Sequence, residues 1–148
     1  MLVVIERTAP AGSIAQYATD AASHWKIGAL GADNGIVLFV FPSARTIRLE
    51  VGYGLEGAIP DIEAKRMVEA TLLPHFSAGR YEEGFEDFLS ALVSRLKEYA
   101  DEAAKADKPI NIVAFAMGIV RQIPRLATLA RGAFQAFGRH MAQTDLGQ

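Results

Sequence analysis

Val51-Gly52-Tyr53-Gly54-Leu55-Glu56-Gly57, with Pro60-Asp61 just behind it, is the stretch that decides how this chain folds. It leaves an alternating segment, Thr46–Val51, in which Ile47, Leu49 and Val51 share one face and Arg48 and Glu50 the other, as in a strand with one wetter face. It runs through three glycines and reaches a helical pattern at Asp61. Its letters satisfy G-x-G-x-x-G, the dinucleotide fingerprint. That fingerprint needs a helix opening within the glycines, so that N-terminal amides meet the pyrophosphate. Here the predicted helix starts only at Asp61, and Glu56 puts a negative charge where a phosphate would sit. A second helical pattern follows in place of a strand. The loop suits a cation better than a dinucleotide.

Upstream, Ile36–Phe41 is continuously apolar, the pattern of a central strand buried on both faces. Pro42-Ser43-Ala44-Arg45 joins it to Thr46–Val51 as a hairpin loop. Leu2–Ile5 is a short run of strand length. Pro10-Ala11-Gly12 breaks the chain, and Ser13 is an N-cap for a helix carrying Ile14, Tyr17, Ala18, Ala21 and Trp25, ended by Gly28. Trp25 is assigned to the core. Downstream, Asp61 caps a helix to about Leu73, where Pro74 stops it. Arg80 to about Ala106 is the strongest helix, with Tyr81, Phe85, Phe88, Leu89, Leu92, Val93 and Leu96 at 3.6-residue spacing. The order β-α-β-β-α-α predicts an α/β/α sandwich with a small mixed sheet.

The 148 residues carry a net charge of −2, which leaves no electrostatic footprint for nucleic acid over the molecule as a whole. There is no cysteine, which removes disulfides, thiolate metal sites and cysteine nucleophiles together. No secretory signal pattern is visible. The chain begins inside a strand pattern, so a preceding segment is expected. Lys108-Pro109 marks a boundary between residues 1–107 and a tail, 108–148, with Arg121, Arg125, Arg131 and Arg139 among apolar residues and no acid before Asp145. Its apolar run from Ile110 to Val120 is about half the roughly 20 residues a spanning helix needs. A basic amphipathic helical tail lying on an anionic membrane surface fits better.

Antiparallel pairing of the hairpin sets the start of its first strand beside the end of its second. Asp33-Asn34-Gly35 therefore belongs next to Gly52–Gly57 and Asp61. Asp33, Glu56 and Asp61 converge on one sheet edge, and with Asn34 they form a hard-oxygen donor set suited to Ca²⁺ or Mg²⁺ rather than zinc. Each also has a plain structural reading. Asp33-Asn34-Gly35 makes a turn, Asp61 makes an N-cap, and the glycines supply positive φ. Glu56 has no such reading. Tyr53 is either a pocket wall or a packing residue. Glu50 reads as the surface partner of Arg48. His24, His75 and His140 are scattered and read as structural or solvated.

Trp25-Lys26-Ile27-Gly28, Asp33-Asn34-Gly35-Ile36-Val37-Leu38, the run Ile47 to Gly57 and Pro60-Asp61 resemble the TPM domain. Leu73-Pro74-His75-Phe76, Gly79-Arg80-Tyr81 and Gly84 match its later pattern, so the resemblance spans about Val3 to Leu96. It implies an α/β/α sandwich in an envelope or organelle-lumen setting, commonly with a membrane anchor. Plant thylakoid relatives are linked to photosystem II repair and have been ascribed acid-phosphatase activity. Some bacterial relatives bind calcium at an acidic cleft whose positions correspond to Asp33, Glu56 and Asp61. The family's usual first helix is absent before Leu2, and the tail differs from the long membrane segment and glycine-rich end of many bacterial members.

The expected function is that of an accessory domain of the cell envelope. It would bind a divalent cation, Ca²⁺ or Mg²⁺, at the acidic glycine-loop cleft, and dock a membrane-protein partner. The alternative is a metal-assisted acid phosphatase acting on phosphomonoesters. Against the enzyme, the chain has no cysteine nucleophile, no Asp-x-Asp pair and no Arg-His-Gly, so no catalytic residue is assigned.

Overall fold

The computed structural model describes residues 1–6, 8–28 and 31–106. The tail expected over residues 108–148 lies outside them. The fold class is α/β, with three strands among the described residues in one mixed sheet accompanied by helices. The chain divides into two compact units, Met1–Val68 and Glu69–Gln148.

The first unit holds β1 (Leu2–Ile5), α1 (Ile14–Trp25), β2 (Ile36–Phe41), β3 (Thr46–Val51) and α2 (Asp61–Met67). The sheet order is β1-β2-β3. β1 runs parallel to β2, with Leu2 opposite Val37 and Ile5 opposite Val40. β3 runs antiparallel to β2, with Ile36 opposite Val51 and Phe41 opposite Thr46. All six residues of β2 are buried, as its unbroken apolar run predicts. A short 3₁₀ turn, Pro42–Ala44, closes the hairpin, and Arg45 supplies the left-handed residue (φ 48°) that lets the chain double back.

α1 covers the face of the sheet carrying Val37, Phe39 and Phe41. Ala18 is fully buried against those three, with Val4, Ile14, Tyr17 and Ala21 around them. The small Ala18 lets the helix come close. Tyr17 then meets Phe39 and Phe41 edge-on at 6.3 and 6.0 Å, geometries that aromatic quadrupoles favour. Its hydroxyl donates to Glu6 Oε1 at 2.9 Å, tying α1 to the end of β1. This hydrogen bond to a carboxylate, then burial, hold the phenol above its ordinary pKa. Ser13 caps the helix as expected, its Oγ accepting from the Gln16 amide at 3.3 Å.

Three boundaries differ from expectation. α1 ends at Trp25, with Lys26 as its left-handed cap (φ 47°), and not at Gly28. Pro60 is the N-cap of α2, so Asp61 lies in the first turn without a capping hydrogen bond. There its charge still meets the positive end of the helix dipole. Pro74 does not stop a helix. The chain passes through a π-helical turn, Val68–Leu72, and Pro74 opens α3 (Leu73–Ser77), where a missing N–H costs nothing. Trp25 is 40% exposed, although its ring stacks on Phe39 at 5.7 Å, because it closes the edge of the core and does not fill its centre.

In the second unit α3 is tied to α4 (Tyr81–Lys105). His75 Nε2 meets Asp87 Oδ2 at 2.9 Å, and Phe76 meets Tyr81 edge-on at 5.1 Å. The Arg80 amide donates to the His75 carbonyl at 2.8 Å. Gly84 lets His75 approach, since a Cβ there would fall 2.7 Å from the His75 Cβ. His75 is thus structural. The buried stripe of α4 is Phe85, Phe88, Leu89, Leu92, Leu96, Ala100 and Ala103, the period its sequence predicts.

Phe39 is fully buried and touches Tyr17, Phe41 and the only tryptophan. Phe39→Ala is expected to lower unfolding free energy by about 3–5 kcal/mol. Urea titration followed by Trp25 emission measures this. A loss below about 1 kcal/mol would show that this cluster does not hold α1 to the sheet.

Candidate functional site

β2 begins where β3 ends, and the pairing continues past both strands. The Gly52 amide donates to the Gly35 carbonyl at 2.7 Å, and the Gly54 amide to the Asp33 carbonyl at 2.8 Å. The loop before β2 and the glycine loop after β3 are thus joined backbone to backbone. This is why the stretch carries glycine. A Cβ at Gly52 would run into the Asp33 carbonyl, and one at Gly54 into that of Ala32. Neither glycine has positive φ, so close approach is the requirement here, not conformational freedom. Asp33 itself is left-handed (φ 44°), so the turn reading of Asp33-Asn34-Gly35 holds as well.

A cavity of about 180 Å³ opens at this joint. Thr19, Ser23 and Lys26 line it from the end of α1, Asp33 from the loop before β2, Glu50 from β3 and Tyr53 from the glycine loop. Its inner wall is apolar, with Ile27, Val37 and Val51. It has room for a hydrated ion or a small polar group. Drug-sized ligands occupy larger pockets, about 300–1,000 Å³. The polar walls offer carboxylate and hydroxyl oxygens and one ammonium, with neither sulfur nor imidazole.

The expected site residues take different places. Asp33 lines the cavity. Asn34 is buried, and its Oδ1 lies against Gly28, where a Cβ would fall 2.6 Å away. Glu56 and Asp61 are exposed and do not line the cavity. Among the described residues, no three of His, Cys, Asp and Glu stand close enough together to hold one metal ion. Tyr53 is a wall residue and 76% exposed, not a packing residue.

Glu50, Lys26, Thr19 and Ser23 were not anticipated. Glu50 pairs with Arg48, as expected, through Oε1 at 2.9 Å, yet its side chain is only 16% exposed. Its second oxygen accepts from Thr19 Oγ1 at 3.1 Å. The available signal was topological. The end of α1 leads into the loop before β2, so it must lie near the end of β3. Among the described residues no helix is long and apolar enough to cross a membrane.

Gly54→Ala is expected to cost about 1–3 kcal/mol, the usual range for forced overpacking, and to free the loop. Amide exchange at positions 52 and 54 should accelerate at least tenfold. Unchanged protection there would mean the joint does not depend on close approach.

Comparison with known proteins agrees with this geometry. The TPM domain matches residues 1–95. The solution NMR structure of the N-terminal domain of a protein from P. gingivalis is similar, with a TM-score of 0.53 and 28% sequence identity. The match covers 68% of this chain and 62% of that one. No curated protein matches. A domain that fits residues 1–95, around a hairpin carried onward by two glycine contacts, places this chain in the TPM domain family.

Proposed function

We propose that this TPM domain is an accessory module of the cell envelope. It binds a divalent cation, Ca²⁺ ahead of Mg²⁺, in the cleft at the glycine loop and uses it to order that loop for a membrane-associated partner. The observation that carries the reading is Asp33. It lines the cavity, and its carboxylate has no hydrogen bond or ion pair among the described residues. The donor set fits a hard cation in kind, since every uncharged or anionic polar side chain on the walls carries oxygen. It does not fit a closed cage, because at most two carboxylates share the cavity. Backbone carbonyls and water would complete the shell. A site of that kind binds loosely, on the order of 10⁻⁴–10⁻³ M as in extracellular calcium modules.

Asp33 anchors the ion. Glu56 and Asp61, outside the cavity, add longer-range field only. Tyr53 stands exposed on the loop that the ion would order, which supports a docking role for that loop. Titration calorimetry with CaCl₂ should give a dissociation constant in the stated range. Asp33→Asn should weaken it at least tenfold, and Glu56→Gln and Asp61→Asn only a few-fold. Wild-type protein that releases no heat, or an Asp33→Asn variant that binds equally, would reject the site.

Lys26 favours a second reading, metal-assisted hydrolysis of phosphomonoesters, because it puts one positive group on the same wall. We expect p-nitrophenyl phosphate turnover at acid pH to be weak or absent. Robust turnover lost in both Asp33→Asn and Lys26→Ala would promote the enzyme.

The basic segment after Lys108 supports membrane-surface association. Each basic residue near an anionic leaflet contributes about 1 kcal/mol. Sedimentation with phosphatidylserine vesicles should fall with salt and vanish when the chain ends at Lys108. Equal sedimentation with neutral vesicles would overturn the electrostatic reading.

A further inference from the structure

Among the described residues β3 is an edge strand, and its outer edge is self-complementary. The Gly52–Gly35 hydrogen bond sets the phase of the ladder. Hydrogen-bonded pairs alternate along an antiparallel ribbon, so Glu50 exchanges bonds with Val37, Arg48 with Phe39 and Thr46 with Phe41. The N–H and C=O groups of Ile47, Leu49 and Val51 therefore point away from β2. Among the described residues no hydrogen bond reaches them. Such a row of unpaired groups is a template for another strand.

We infer that this edge pairs with the same edge of a second copy of the chain. The twofold axis passes between Leu49 and its counterpart. In that register Leu49 exchanges both backbone bonds with the second copy's Leu49, and Ile47 with its Val51. All three outward residues are then satisfied. Arg48 falls opposite the second copy's Glu50, and Glu50 opposite its Arg48. These are non-hydrogen-bonded positions, where side chains come closest. Both residues lie on the face shared with α1, since Glu50 accepts from Thr19. Arg48 uses Nε and Nη2 on its own Glu50, at 3.1 and 2.9 Å, which leaves Nη1 for the second copy. A register shift of one residue toward either end sets unlike positions together and loses the pairing of charges. The alternation Ile47-Arg48-Leu49-Glu50-Val51 reads the same in both directions apart from charge sign. That is what an isologous contact requires. The inference is independent of the cation reading.

The test exploits the sign of the charges. In sedimentation equilibrium of the full chain, the wild-type mass should rise with concentration toward twice 16.0 kDa. Arg48→Glu and Glu50→Arg should each dissociate at least tenfold more readily, because like charges then face across the twofold. An equimolar mixture of the two variants should regain the wild-type dimer. One chain now offers two acids and the other two bases, although each chain's own 48–50 pair is like-charged. Only pairing between chains predicts that recovery. A wild-type control needs no variant. Amide exchange at Ile47, Leu49 and Val51 should slow as protein concentration rises, while Thr46, Arg48 and Glu50 stay protected throughout. Wild-type protein that remains monomeric at millimolar concentration would overturn the inference. So would variants whose mixture recovers nothing while each is folded by circular dichroism, or a dimer in which the amides of Ile47, Leu49 and Val51 exchange freely.

Discussion

Two backbone hydrogen bonds, Gly52 to Gly35 and Gly54 to Asp33, carry the β2–β3 pairing beyond the strands themselves. They are short, and both partners are main chain. Side-chain identity enters only through bulk, so glycine is the residue that permits them. Everything at this end of the first unit depends on that joint. It holds Asp33 in a left-handed turn facing the cavity, and it sets Tyr53 at the rim. The 3₁₀ turn at Tyr53–Leu55 then buries Leu55, and the chain reaches α2 with Ala58 and Ile59 fully buried. The loop is anchored on one side by backbone bonds and on the other by apolar burial. The polar groups between are free to meet solvent or a ligand.

The same joint explains why a dinucleotide fingerprint appears in the letters and not in the fold. In a nucleotide-binding loop the glycines clear space for a pyrophosphate beside a helix N-terminus. Here the corresponding space is filled by the loop before β2, and α2 begins only at Asp61. Spacing of glycines alone cannot separate these cases. What separated them from sequence was the late helical pattern and the charge of Glu56.

Where one physical rule dominates, the residues are readable. Ile36–Phe41 must be buried because nothing in it tolerates water, whereas the alternation of Thr46–Val51 tells which residues share a face but not that all six are half-buried, with Glu50 turned to α1. The α4 stripe follows from periodicity, and the Ser13 cap from its hydroxyl. The misreadings lie where two rules compete. Asp61 and Pro60 both suit the start of a helix, and Pro60 takes the cap. Pro74 can end a helix or begin one, and the π turn before it decides for beginning. Of the candidate site, Asp33 was legible because hairpin pairing alone places it. Glu50 was not, because alternation assigns it only to the polar face. Whether that face meets water or α1 depends on packing across the sheet. Thr19 and Ser23, on the far side of that packing, carry no local signal.

The cavity's charge balance bears on what it can hold. Asp33 and Glu50 face it with Lys26, two carboxylates against one ammonium. Glu50 is already bonded to Arg48 and Thr19, so most of its charge is answered within the fold. Arg48 is 39% exposed, and solvent screening leaves such a pair little energy of its own. Its consequence is geometric, since it turns Glu50 toward α1. The charge left for a ligand is therefore that of Asp33, opposed by Lys26. A strong electrostatic trap would need more unanswered acids than the walls carry. Affinity for a small cation has to come from arranged oxygens, and ordering them has a conformational cost. A loop pinned by main-chain bonds on one flank has already lost much of that freedom on folding, which lowers the cost of the final step. On the proposed cation reading, weak affinity and dependence on the glycine joint thus have one origin. The chain places few charges and many fixed backbone groups at the end of its hairpin.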